Sequence, residues 1–137
     1  MTALKSLLRE KGSHGAYPHV GIDPINIGAH IHLALQELVA RESDPSKAVA
    51  LTVGKFQAGT AANIIPETAV LEGTLRTNDS KMREKIVNRI KEVAEKTAEV
   101  YGGSASIEMI YEVPTITCDS KLTEEFVKYI KEINGPE

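Results

Sequence analysis

An antiparallel sheet covered on one face by two helices, the ferredoxin-like two-layer α+β sandwich, is the fold class this sequence predicts. Three observations carry it. Val49, Leu51 and Val53 alternate with smaller residues at the two-residue period of a strand, and Ala69, Leu71, Gly73 and Leu75 do the same a little further on. Two longer stretches that bracket this pair repeat their apolar residues at steps of three and four, as helices do. A third alternating run, Ile107, Met109, Tyr111 and Val113, follows the second helical stretch. With one more strand at the N-terminus the order becomes the split β-α-β pattern of a sheet with helices on a single face.

That N-terminal strand is the least determined element. In residues 4–10, LKSLLRE, the spacing of Leu4, Leu7 and Leu8 suits a helix and that of Leu4 and Leu8 suits a strand, so periodicity leaves both open. Lys11 to Pro24, KGSHGAYPHVGIDP, holds two histidines, three glycines and two prolines and has no core-forming pattern, which predicts a loop. Asp23-Pro24 starts a helix, the carboxylate capping free N–H groups and the proline sitting where a missing N–H costs nothing. Ile27, Ile31, Leu35 and Leu38 form its apolar stripe to about Arg41, where RESDPSK ends it. The strand from Ala48 to Phe56 comes next, then the interruption GTAANIIPE, then a strand with Val70, Glu72, Thr74 and Arg76 on its second face. TNDS introduces the longest helix, marked by Met82, Ile86, Ile90, Val93, Thr97 and Val100 and closed by Gly102-Gly103. After the third alternating run, CDS precedes a last helical stripe of Leu122, Phe126, Ile130 and Ile133 that stops at Gly135-Pro136. The helices are expected over the face of Leu51, Leu71 and Leu75, leaving the face of Glu72, Thr74 and Arg76 open.

Composition removes several function classes. A chain of 137 residues is most simply one domain with one core. Its single cysteine, Cys118, excludes an internal disulfide and points to a reducing compartment, so the cytoplasm is the expected location. A net charge of −3, no Trp and only six Phe and Tyr argue against nucleic acid as a partner. The longest apolar run, AVALTV, is too short to cross a bilayer, and MTALKSLLREKG lacks the apolar centre of a signal peptide, so no membrane partner is expected.

The candidate chemistry is sparse. His30 and His32 sit two apart in a predicted helix and point to different sides, and no cysteine or acidic cluster completes a ligand set, so no intrinsic metal site is expected. No nucleophile motif is present. There remain His14 in its glycine-flanked loop, Asn63 among small residues that let a ligand or second chain come close, and Arg76, whose guanidinium can hold a carboxylate in bidentate fashion. Each also has a plain reading: a solvated loop histidine, a turn asparagine bonding its own backbone, and a surface ion pair.

Three segments together carry a resemblance. KGSHGAYPHVGIDPI, GTAANIIPETAVLEGTLRT and VPTITCDSKL resemble, in order and separation, the lid or dimerisation domain of the zinc-dependent amidohydrolase and peptidase family of aminoacylases, hippurate hydrolases, carboxypeptidases and diaminopimelate deacylases. The similarity runs from about Lys11 to about Leu122. It implies a ferredoxin-like insertion within a larger catalytic domain, paired lid to lid in a homodimer. It also implies that the parent enzyme hydrolyses the amide bond of N-acyl amino acids or short peptides with a zinc-bound water, the metal ligands and general base lying in the catalytic domain. His14 would enter the partner subunit's site and steady the reacting carbonyl oxygen, while Asn63 and Arg76 would bind substrate, Arg76 through a free carboxylate. On this reading residues 1–113 are the lid and 114–137 a connector and helix belonging to a catalytic domain that is itself missing, so the chain is expected to be an excised or truncated lid, silent alone. The apolar strand Ala48–Phe56 is the expected dimer edge, with helix residues such as His30, Leu33 and Glu37 beside it. The competing expectation is a freestanding ferredoxin-like module that binds a small molecule or regulates.

Overall fold

The structure is a computed structural model and describes residues 1–135. In chain order its elements are β1 (Thr2–Arg9), β2 (Ser13–His14), a short 3-10 turn (Pro18–Val20), α1 (Pro24–Glu37), a widened π-type turn (Leu38–Glu42), β3 (Val49–Ala58), β4 (Ile64–Ile65), β5 (Thr68–Thr77), α2 (Ser80–Val100), β6 (Ala105–Glu112) and α3 (Ser120–Asn134). Four strands make one antiparallel sheet in the order β3-β5-β1-β6, the ferredoxin-like arrangement, and β2 pairs with β4 in a separate two-residue ladder.

The N-terminal segment is a strand, and it is a central one. Leu4 and Leu8 bury on the helix side with Ser6 between them, flanked in register by Leu71 of β5 and Ile107 of β6. A small polar residue in the middle of the core face blurs the local alternation. Partners some 70 and 100 positions away supply the missing specification.

Both helices begin as their caps predict. The Asp23 carboxylate accepts from the Ile25 N–H at 2.8 Å and the Asn26 N–H at 3.3 Å, and the Asp79 carboxylate accepts from the Met82 N–H at 2.8 Å. Ile27, Ile31, Leu35 and Leu38 of the first helical segment meet Leu71, Leu75, Ile86 and Ile90 in one core. The stripe of α2 runs differently from the expected one near its end. Ala94 and Ala98 are fully buried there, whereas Val100 is 77% exposed. Small side chains let α2 pack closely, and alanine is too weakly apolar to announce this in a periodicity.

Two bulges bend the outer strands. Gly54 is the extra residue of β3, opposite Gly73, and Ile110 interrupts the register of β6. The first explains a glycine on the core face of β5, since a Cβ on Gly73 would lie 2.5 Å from the Thr52 carbonyl oxygen. Beyond the bulge Phe56 and Ala58 return to the helix side, so β3 runs two residues past its expected end.

Charge ties the helix ends together. Arg89 grips the Glu42 carboxylate at 2.7 and 2.8 Å and also bonds Glu92, while Lys85 donates to the Glu42 carbonyl at 2.7 Å. Lys47 pairs with Asp79 at 2.8 Å. The Arg89 guanidinium holds the Glu42 carboxyl below its usual range, and the Lys47 ammonium does the same for Asp79.

The sandwich closes on itself. Met1 and Val113 exchange two hydrogen bonds of 2.7 Å, which puts the start of β1 and the segment just past β6 side by side. Beyond them α3 forms where predicted, capped by Asp119 through the Leu122 N–H at 2.9 Å, but none of its side chains is buried. Gly135 ends it with a positive φ, and Pro136, the second half of the expected stop, lies outside the described residues.

Candidate functional site

The loop that carries His14 is far more ordered than its composition suggests. The Ile22 N–H donates to the Lys11 carbonyl at 2.9 Å, and the Glu10 N–H donates to the Glu67 carbonyl at 2.7 Å, so both ends of the loop are tied down. Between them β2 pairs Ser13 with Ile65 and His14 with Ile64. The Gly15 N–H then donates to the Asn63 carbonyl at 2.8 Å, and the Tyr17 N–H closes a turn on the His14 carbonyl at 2.8 Å. A Cβ on Gly15 would stand 3.0 Å from the Asn63 carbonyl oxygen, so any larger residue there would have to push the two loops apart by a few tenths of an ångström. His14 and Asn63, separated by 48 intervening residues, thus become backbone neighbours, and both are exposed.

The His14 side chain is held too. Its Nδ1 accepts a hydrogen bond from the Ala16 N–H at 3.1 Å, and the Tyr17 ring lies 6.1 Å away, tilted by 53°.

Arg76 is elsewhere. It sits one residue from the far end of β5, opposite Ala50 of β3, on the face away from the helices. Thr68 and Arg76 are eight positions apart, and at about 3.4 Å per residue that puts Arg76 roughly 25 Å from the His14 and Asn63 end. One domain cannot bring all three to one small ligand. Arg76 lines an open groove of about 430 Å³ with Ala48, Val49, Ala50, Asn78 and Thr115, and it has no ion-pair partner among the described residues. Asn78 and Thr115 escaped the sequence reading because they lie in irregular segments that only the folded sheet end brings beside Arg76.

Between these two ends runs the uncovered face of the sheet. Glu72 and Thr74 are on it as expected, Glu72 paired with Lys55 at 3.0 Å. A shallow depression of about 310 Å³ also takes in Thr52, Ile110 and Tyr111.

One sheet edge is β3, the strand expected at a dimer seam. On the neighbouring helix, His30 turns away from it and stacks on Tyr101 at 4.5 Å, facing α2, and Glu37 pairs with Arg41. Leu33 is 64% exposed. Of the three helix residues suggested for the seam, His30 is therefore occupied within the domain.

Among the described residues no group of three or more His, Cys, Asp or Glu side chains is placed to hold a metal ion. No helix among them is long and apolar enough to cross a membrane.

Residues 2–102 match the family model of the peptidase dimerisation domain. The chain belongs to that family. Over 113 residues it is 37% identical to the N-acetyl-L-cysteine deacetylase of Bacillus subtilis, covering 82% of this chain and 27% of the relative. Over 133 residues it is 31% identical to thermostable carboxypeptidase 1 of Saccharolobus solfataricus, covering 96% of this chain and 34% of the relative. An aminohydrolase structure from methicillin-resistant Staphylococcus aureus superposes with a TM-score of 0.84 at 28% identity, over 97% of this chain and 34% of that one. The chain thus spans about a third or less of the length of the relatives it matches.

Proposed function

We propose that this dimerisation domain serves a metal-dependent amidohydrolase or peptidase acting on N-acyl amino acids or short peptides, and that His14, Asn63 and Arg76 contact the substrate across a two-fold dimer. The observation that carries this reading is the placement of the three residues at opposite ends of a sheet whose β3 edge is free. A two-fold axis through paired β3 strands runs the second sheet antiparallel to the first, so the Arg76 end of one subunit comes beside the His14 and Asn63 end of its partner. Neither subunit then makes a complete site alone.

The chemistry suits that division. A preset N–H donor on His14 meets the oxygen on which charge develops as an acyl carbon is attacked, the Asn63 amide adds a second polar contact, and the unpaired Arg76 guanidinium fixes the distal carboxylate. The metal and the general base belong to a catalytic domain outside these residues. Two features support a lid inserted in such a domain over a freestanding module: the start of β1 and the segment just past β6 are joined at Met1 and Val113, and the apolar stripe of α3 has no partner among the described residues. The proposed division is accordingly 1–113 for the dimerisation domain and 114–137 for a segment that packs on the catalytic one, in a cytoplasmic homodimer.

The test is a chimaera in which this chain replaces the dimerisation domain of the Bacillus deacetylase. Restored dimerisation and metal-dependent deacylation, lost on His14→Ala, are expected. A chimaera that is active as a monomer would overturn the shared site.

A further inference from the structure

The hydrogen bond inside the His14 turn has a chemical consequence. A backbone N–H can only donate, so the Nδ1 that accepts from Ala16 at 3.1 Å carries a lone pair. In the neutral imidazole the proton must then be on Nε2. We propose that the Ala16 amide is a positioning group that locks His14 in the Nε2–H form and aims that N–H outward as a ready-made donor. The inference rests on the reading of His14 as a contact to the developing oxyanion.

Several features make the lock more than an accident of an exposed loop. The His14 backbone is fixed on one side by pairing with Ile64 and on the other by the Gly15 N–H on the Asn63 carbonyl, so Cα cannot drift. The turn closed by the Tyr17 N–H on the His14 carbonyl at 2.8 Å folds the chain so that the Ala16 N–H reaches the Nδ1 edge of the ring. Nε2 has no partner among the described residues, and His14 is exposed, so the proton left on Nε2 faces outward. His19, five residues on in the same loop, has no such bond among the described residues and offers an internal reference. A donor that needs no tautomer change or side-chain search when the substrate arrives loses less free energy on reaching the transition state. Asn63 thereby acts twice, through its amide toward the substrate and through its carbonyl in holding the turn.

The experiment is nitrogen NMR on the full chain labelled with 15N, at a pH where both imidazoles are neutral. Long-range proton–nitrogen correlations should show His14 with an unprotonated Nδ1 and a protonated Nε2, with a fraction of the Nδ1–H form roughly tenfold below that of His19. A nitrogen–nitrogen coupling across the hydrogen bond, from the Ala16 amide to His14 Nδ1, should be present. Ala16→Pro deletes the donor and should return the His14 pattern to that of His19, with the rest of the spectrum reporting that the sandwich still folds. Equal tautomer fractions for His14 and His19 in the unaltered chain, or no coupling, would overturn the proposal whatever the variant does. These readouts involve no catalysis. A locked His14 whose replacement leaves the chimaera fully active would therefore count against the oxyanion role and leave the lock standing.

Discussion

The two ends of the central sheet are built on different principles. At the His14 end, position comes from the backbone: the short β2 and β4 ladder, the Gly15 to Asn63 bond and the Ala16 to imidazole bond hold polar side chains that are otherwise exposed. At the Arg76 end, the cation lies in an open groove, and the ion pair of Lys47 with Asp79 follows just past the strand. Hydrogen bonds between backbone groups are indifferent to pH and salt, the Ala16 to imidazole bond needs an unprotonated Nδ1, and surface ion pairs are screened and titrate. One end is thus suited to placing an atom and the other to attracting a charge.

The largest expected effect breaks the first end. In the chimaera, His14→Ala should lower kcat/KM by about 10²- to 10³-fold, the loss typical of one oxyanion donor, with no change in melting temperature because the side chain buries nothing. His14→Gln places an amide N–H near the Nε2 position and should recover part of this loss, while His14→Asn, which mimics Nδ1, should not. A parallel assay of all three variants checks it.

At the other end, Arg76→Lys keeps the charge and gives up the planar fork. Activity on substrates with a free carboxylate should fall by about tenfold, the size of one charge-assisted hydrogen bond, and that on the matching amides should hold. An equal fall on both substrate types would remove Arg76 from the carboxylate role.

Gly15→Ala sharpens the contrast more gently. The new Cβ must push the Asn63 carbonyl by a few tenths of an ångström, so activity should drop by less than tenfold while dimerisation persists. Crystallography of the variant should show the two loops moved apart.

The smallest effect is on stability in acid. The Asp79 and Glu42 carboxyls titrate below their unfolded values because Lys47 and Arg89 bond them. Their contribution is complete above the unfolded range near pH 4 and disappears as pH falls through the lower folded values. Thermal melts from pH 6 to pH 2 should show this loss, reduced in Lys47→Met and unchanged in His14→Ala.

Much of this was legible from residue types. Asp23-Pro24 and the TNDS segment announced the helix starts, and the faces of β5 followed from its alternation. The strand β1 was ambiguous because Ser6 interrupts its apolar face, and α2 was misjudged at Val100 because Ala94 and Ala98 do the burying there. Opposite lessons come from β1 and α3, since the helix has the clearer stripe of the two and buries nothing among the described residues. Periodicity reports which conformation a segment adopts, and the partner that covers it is a separate matter.

The sequence by itself determined the sandwich, the edge-worthy character of the β3 segment and the three polar residues to watch. These depend on local spacing, capping and side-chain chemistry, which are written along the chain. The tertiary structure alone decided that His14 and Asn63 share a backbone hydrogen-bond ladder, that Arg76 lies roughly 25 Å away at the other end of β5, and that a backbone amide holds the imidazole. The physical reason is that hydrogen-bond partners of the main chain carry no letter in the sequence. Register between segments tens of residues apart is set only when the whole sheet closes.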